Sequence, residues 1–406
     1  MKIRKTVNYL PPELLSEVLK WLPARNLLKL RVVCKSWNSV ISNQRFHQYH
    51  LLHQLRTKNI QRCKYVLLSV DRYVKSTVHN RLLSSSAVNI CRSKTFTPIQ
   101  KIDLAKLDGV KFCHGKSSVL GYVDGVLLVH VPSPGVDNKT NSIFLWNPMI
   151  GKVVDIPLSE SLRKSKDVNV WFAFGFGFDS GTSNCKVVAL NLKDYDSKTK
   201  VYNLGSRSWT SPKEKRGSID NVKYLSNTSV SFNFEGGIYW LARVERKGIN
   251  ITHYLRFDLS SEAFTCSKLP DFQYEGQLKQ RLRRLSILHE SLALVDCSSY
   301  SHSRHIRVWI RRKDNTTSVD SWIALYNLNY CVGKFQHLTS NGDAYFLTPG
   351  IPRTISVHDF KSGEDKVCST TPWGTVNFMD GYIESLALLG QPSDQQSIKM
   401  QACLMG

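Results

Sequence analysis

The side chains that could do chemistry are dispersed along the chain. Ten cysteines occupy positions 34, 63, 91, 113, 185, 266, 297, 331, 368 and 403. No two form C-x-x-C, and none sits with histidines at the spacing a tetrahedral zinc site needs. Thiols so placed read as reduced and buried. His130, His253 and His289 stand singly, as strand or loop residues do, so no metal is expected. Asp194 and Asp196 have the chemistry of turn formers. Gly175-Phe-Gly-Phe-Asp-Ser-Gly181 has the look of a phosphate loop. Its third glycine is one place too far for G-x-G-x-x-G and no helical pattern follows, so a β-turn between strands is the expectation. The G-x-x-x-x-G-K-[ST], H-E-x-x-H and G-x-S-x-G motifs do not occur. The expectation is a non-catalytic chain with no cofactor.

The formal charge of +23 raises a nucleic-acid reading, and its distribution decides how far to take it. Residues 1–100 hold eighteen Lys/Arg against three Asp/Glu, and the other 306 residues carry only +8. A basic front on an ordinary body calls for an acidic partner at the N-terminus, and a protein surface serves that role as well as DNA. The clusters Arg281/Arg283/Arg284 and Arg311-Arg312-Lys313 have no recognition motif around them and read as solvated surface. A basic nucleic-acid-binding β-repeat protein is the alternative, with affinity falling steeply in salt.

Hydrophobic residues make up 42% and charged residues 21%, and no apolar run is long enough to span a bilayer. Met1-Lys-Ile-Arg-Lys5 is basic like a secretory leader, but Asn8, Pro11, Pro12, Glu13 and Glu17 interrupt any apolar stretch after it. Cytoplasm or nucleus is therefore expected, with no membrane partner. The sequons at Asn138, Asn227, Asn250 and Asn315 carry no weight without export.

Three helical signals occupy the first fifty residues. Pro11 and Pro12 precede an apolar stripe of Leu14, Leu15, Val18, Leu19 and Leu22, and Pro23 stops it. Leu27, Leu28, Leu30, Val32 and Val33 follow, then Trp37, Val40 and Ile41 after Cys34. So small a module cannot bury all these side chains alone, which predicts an obligate packing partner.

The start Leu10-Pro-Pro-Glu-Leu14, the turn Trp21-Leu-Pro23 and the close Val33-Cys-Lys-Ser-Trp37 with Ile41 resemble an F-box, especially the plant type. The resemblance implies docking onto an acidic Skp-type adaptor and, through it, a cullin. It carries that role onto Leu10, Pro11, Leu14, Val18, Leu19, Leu22, Pro23, Leu27, Leu28, Cys34, Lys35, Trp37 and Ile41. Periodicity does not separate core residues from contact residues among them. Ser36, Asn38, Lys20 and Lys29 read as solvated helix faces.

From about residue 60 the pattern changes to short Val, Ile, Tyr, Phe and Trp runs broken by Gly, Asn, Asp and Ser. Strands ending at Asn147, Asn203, Asp258 and Asp359 recur at about 55 residues or twice that, with Ile306-Arg-Val-Trp-Ile310 as the missing member. A unit of that size with roughly four strands is a propeller blade. Trp146-Asn-Pro-x-x-Gly-Lys152, Phe174-Gly-Phe-Gly-Phe-Asp179, Val201-Tyr-Asn203 with Trp209, Tyr239-Trp-Leu241, Phe257-Asp-Leu259, Ser321-Trp322 and Tyr382-Ile-Glu-Ser385 are similar to the F-box-associated domain of plants.

The expected architecture is a small all-α F-box of three short helices, then a large all-β, kelch-like propeller of about six blades. Residues 1–8 form a basic tail, 9–50 the F-box, 51–63 a helical or linker segment, 64–390 the substrate-binding β domain and 391–406 a flexible tail. The resemblance implies a substrate receptor of a Skp-cullin-F-box ubiquitin ligase. No catalytic residue is required in such a receptor, because chemistry on the target follows from proximity. The target protein itself is unknown from sequence.

Overall fold

The computed structural model describes residues 10–60, 65–75, 82–92, 98–103, 118–131, 142–159, 172–179, 181–182, 184–191, 199–212, 222, 224–225, 231–243, 253–270, 280–299, 304–312, 321–329, 333–348, 353–371 and 375–391. The 1–8 tail, most of the 391–406 tail and the Asp194/Asp196 pair lie outside them.

Proline punctuates the helical module. Pro12 opens α1 (Pro12–Leu19), where its missing N–H is no loss. Pro23 ends the turn after α1 and precedes α2 (Ala24–Leu30). Cys34, in extended conformation, precedes α3 (Lys35–Ile41). A fourth helix, α4 (Gln44–Ile60), runs unbroken through the boundary expected after residue 50. Leu15, Leu19, Ala24, Leu27, Ile41 and Phe46 close on one another as the module's core.

The rest is six antiparallel sheets. The first holds β1 (Tyr65–Lys75), β2 (Leu82–Arg92) and β3 (Pro98–Asp103). The second runs β4 (Ser118–Val123), β5 (Val126–Val131), β6 (Ser142–Asn147) and β7 (Lys152–Ile156). The third runs β8 (Phe172–Asp179), β9 (Asn184–Asn191), β10 (Lys200–Asn203) and β11 (Ser208–Thr210). In the fourth, β12 (Tyr224–Leu225) and β13 (Phe232–Phe234) both pair with β14 (Gly237–Arg243), followed by β15 (His253–Asp258) and β16 (Phe264–Lys268). The fifth is β17 (Gln280–Leu288), β18 (Ser291–Ser299), β19 (Arg304–Arg312) and β20 (Ser321–Asn329). The sixth is β21 (Lys334–Leu338), β22 (Asp343–Thr348), β23 (Arg353–Asp359) and β24 (Asp365–Thr371). Finally β25 (Thr375–Tyr382) returns to pair with β1, Tyr382 opposite Tyr65, and completes the first blade. The chain thus closes a six-bladed propeller with its own last strand.

The recurrent Asn and Asp residues end the third strand of their blades, and each makes the following turn. Asn147 Oδ1 accepts from Met149 N, Asn203 Oδ1 from Gly205 N, Asp258 Oδ1 from Ser260 N and Asp359 Oδ1 from Lys361 N. Four residues on, the chain turns left-handed every time: Gly151 at φ 65°, Arg207 at 53°, Glu262 at 60° and Gly363 at 71°. The side chain substitutes for a backbone acceptor and sets a tight hairpin. Ile306–Ile310 lies within β19, the third strand of the fifth blade.

Gly175 and Gly177 are not turn residues but lie inside β8. Their alternation puts Phe174 and Phe176 into the core against the second blade and leaves the other face bare. Trp240 of the fourth blade fills that space and donates its indole N–H to Phe174 O at 3.2 Å. Close approach of two sheets is the reason for glycine here.

Candidate functional site

Each blade buries one sheet face against the next, so among the described residues the propeller exposes few large apolar side chains, and the helical module differs. Among the described residues, ten large apolar side chains are exposed, and seven fall between Leu10 and Leu52. Leu14 (55% exposed) and Val18 (59%) lie one turn apart on α1, with Leu10 just before the helix and Trp21 (65%) just after it. Val32 (88%) and Val33 emerge from the turn between α2 and α3, and Leu52 from α4. An apolar patch of this kind marks a protein-binding surface. Exposed Arg25, Lys29, Lys35, Arg45 and Arg56 give the module a cationic surround suited to an acidic partner.

The structure separates the residues that sequence left together. Leu10, Pro11, Leu14, Val18, Cys34 and Lys35 are exposed. Leu22, Pro23, Leu28 and Trp37 are half-buried, and Leu22, Leu28 and Trp37 pack against the core. Leu19, Leu27 and Ile41 are fully buried and belong to the core, one of the two roles that the sequence left open for them. Trp21, Val32, Val33 and Leu52 were missed as surface candidates. Trp21 continues the Leu10, Leu14, Val18 spacing, which was the available signal for it.

α4 braces this surface from behind. Lys20 Nζ lies 2.6 Å from Glu17 and donates to Tyr49 Oη at 2.6 Å, while Tyr49 donates to Glu17. These bonds hold the Glu17 carboxyl below its ordinary range and raise the Lys20 ammonium above its own. Trp21 meets the His53 ring edge-on, with centroids 4.2 Å apart. His50 is buried and its Nε2 bonds Leu22 O at 2.9 Å; burial pushes its pKa down.

Three members of the two basic clusters are drawn into the fold, while Arg312 is exposed. Arg283 is buried and paired with Asp296 at 3.0 Å across β17 and β18. Arg284 is half-buried and donates to Gln336 O. Arg311 is buried and donates to Tyr254 Oη at 3.2 Å. The solvated-surface expectation is corrected for these three. At the propeller centre, Ser231 N donates to Leu120 O at 3.2 Å, so the fourth blade's entry reaches the second blade's inner strand directly. Among the described residues, no three His, Cys, Asp or Glu side chains converge as a metal site.

The helical module sits on the propeller rather than apart from it. Its core is continuous with Leu127, Trp146, Met149, Ile150 and Tyr382 of the first two blades. Ala24 N donates to Glu384 Oε2 at 3.0 Å. α4 enters β1 at the Tyr65 end, where the hairpin turns of the blades lie.

A closed propeller bearing a helical module with an unpartnered apolar face defines a two-part binding protein. Residues 8–49 match the F-box domain and residues 40–381 the F-box associated beta propeller domain, and the chain belongs to the family of F-box proteins that carry this propeller. Similar proteins include a putative F-box protein of Arabidopsis thaliana, At3g17500, 24% identical over 75% of this chain and 74% of its own length. The F-box/kelch-repeat protein At3g23880 of the same plant is 27% identical over 63% of this chain and 64% of its own. Among solved structures, a putative 6-phosphogluconolactonase from Bacteroides fragilis aligns with a TM-score of 0.35 and 8% identity, over 79% of this chain and 98% of that one.

Proposed function

We propose that this chain is the substrate-recognition subunit of a Skp-cullin-F-box ubiquitin ligase, working in the cytoplasm or nucleus. The F-box holds the Skp-type adaptor, and the propeller holds a target protein for ubiquitination and degradation. The observation that carries this reading is the exposed apolar set of Leu10, Leu14, Val18 and Trp21 at the first helix of the module. The chain is non-catalytic in this scheme: it raises the local concentration of target near the ubiquitin-loaded enzyme brought by the cullin. Strand ends facing away from the F-box are joined by the longer connections, such as 132–141, 192–199 and 244–252. Target recognition is placed there, where loops vary without disturbing the blades.

Leu14→Ala/Val18→Ala tests the reading. Affinity for the Skp-type adaptor should fall by roughly 30- to 1,000-fold, the effect of truncating two anchor side chains. The circular dichroism spectrum should not change. Near wild-type affinity in the folded variant would overturn the residue assignment. Absence of adaptor binding by the unaltered chain would overturn the function.

A further inference from the structure

Residues 383–391 lie beyond both matched stretches, which end at 49 and 381, yet they are built into the fold. Ser385 and Leu386 are buried. Leu386 belongs to the core shared by the F-box and the first two blades, and Leu388 to the core between the second and third. Asn147, itself fully buried, donates from Nδ2 to Ser385 O and Ala387 O, both at 3.0 Å. Ile383 N donates to the half-buried Tyr122 Oη at 2.8 Å. Glu384, held between these anchors, accepts the Ala24 amide at the start of α2. Pro23 offers that amide no capping side chain, so a residue 360 positions away supplies the acceptor.

We propose that residues 383–391 are a strap that fixes the orientation of the F-box on the propeller, and that Glu384 is the positioning residue through which it acts. Closure of the ring by β25 delivers the strap to the F-box, so ring and F-box are held as one body. The functional consequence rests on the receptor reading above: a fixed F-box gives a constant span from adaptor to bound target, which favours a restricted set of modified lysines.

Hydrogen exchange on the full chain tests the strap without any partner. In Glu384→Ala, amides across α1, α2 and α3 should exchange about tenfold faster as a set, the scale expected from losing one charge-assisted bond that holds a cooperative unit. Glu384→Gln keeps an acceptor oxygen and should restore slow exchange. Acceleration confined to residues 24–27 would make Glu384 a local cap and overturn the proposal. In the reconstituted ligase, mass spectrometry of the chain's own ubiquitinated lysines should show a wider set in Glu384→Ala, with adaptor affinity unchanged because Leu10, Leu14 and Val18 are untouched. An identical set would overturn the orienting role. Failure of the unaltered chain to bind the adaptor would strike the receptor reading alone, since exchange still decides the strap.

Discussion

Lys186 and Glu262 meet 3.0 Å apart at the boundary of the third and fourth blades, both almost wholly buried. Lys186 Nζ is also 3.2 Å from Asp179 and donates to Leu259 O at 2.5 Å. Asp179 further accepts from Thr182, Ser260 and the Gly181 amide. One cation thus joins the first hairpin of one blade to the last hairpin of the next.

Lys186→Ala leaves two buried carboxylates without their cation and should destabilise the propeller by about 3–5 kcal/mol, measured by chemical denaturation. Burial alone would raise the Asp179 pKa, but the bonds from Thr182, Ser260 and Lys186 outweigh it and the net shift is downward. The unfolded chain therefore binds the proton more readily. The stabilisation is complete above the ordinary carboxylate value of about 3.9 and is lost as pH falls through the lower folded value. Denaturation midpoints between pH 6 and pH 3 should show this acid-side loss in the unaltered chain and less of it in Lys186→Ala.

Leu27→Ala and Val18→Ala should separate core from contact. Leu27 is fully buried, and its truncation should cost about 2–5 kcal/mol by cavity formation. Val18 is exposed, and its truncation should change stability by no more than about 0.5 kcal/mol. Both should weaken adaptor binding, the first through unfolding of the helical module. An unchanged melting curve for Leu27→Ala would contradict its place in the core.

Gly175→Ala should destabilise the propeller by about 1–3 kcal/mol through overpacking. The added Cβ would lie 2.6 Å from Ile238 Cγ2 and 2.6 Å from Trp240 Cζ2. Gly181→Ala is the control: its Cβ would meet nothing closer than Asp179 Oδ1 at 3.4 Å. Thermal melting of the two variants should differ in that order, and equal melting would contradict the packing of Trp240 on β8.

What could be read in sequence was whatever local chemistry determines. Asn147, Asn203, Asp258 and Asp359 revealed the blade repeat because an Asx turn is completed within four residues. Pro12 marked a helix start and Pro23 a helix stop for the same reason: the backbone restriction acts on the residue itself and its neighbours. The alternating Phe and Gly of 174–178 suggested a turn because glycine permits turns, but its close approach to Trp240 depends on a strand some sixty residues away. The apolar stripe of α1 is broad enough to contain Leu14, Leu15, Val18 and Leu19. Only the packing of α3, α4 and the first two blades turned Leu15 and Leu19 inward and left Leu14 and Val18 outside. Arg283 and Arg311 looked like surface charge until strand pairing set Asp296 beside the first and packing of the fifth blade on the fourth set Tyr254 beside the second. Nothing in the sequence linked Glu384 to Ala24, since their hydrogen bond exists only once the ring has closed and carried one end of the chain back to the other.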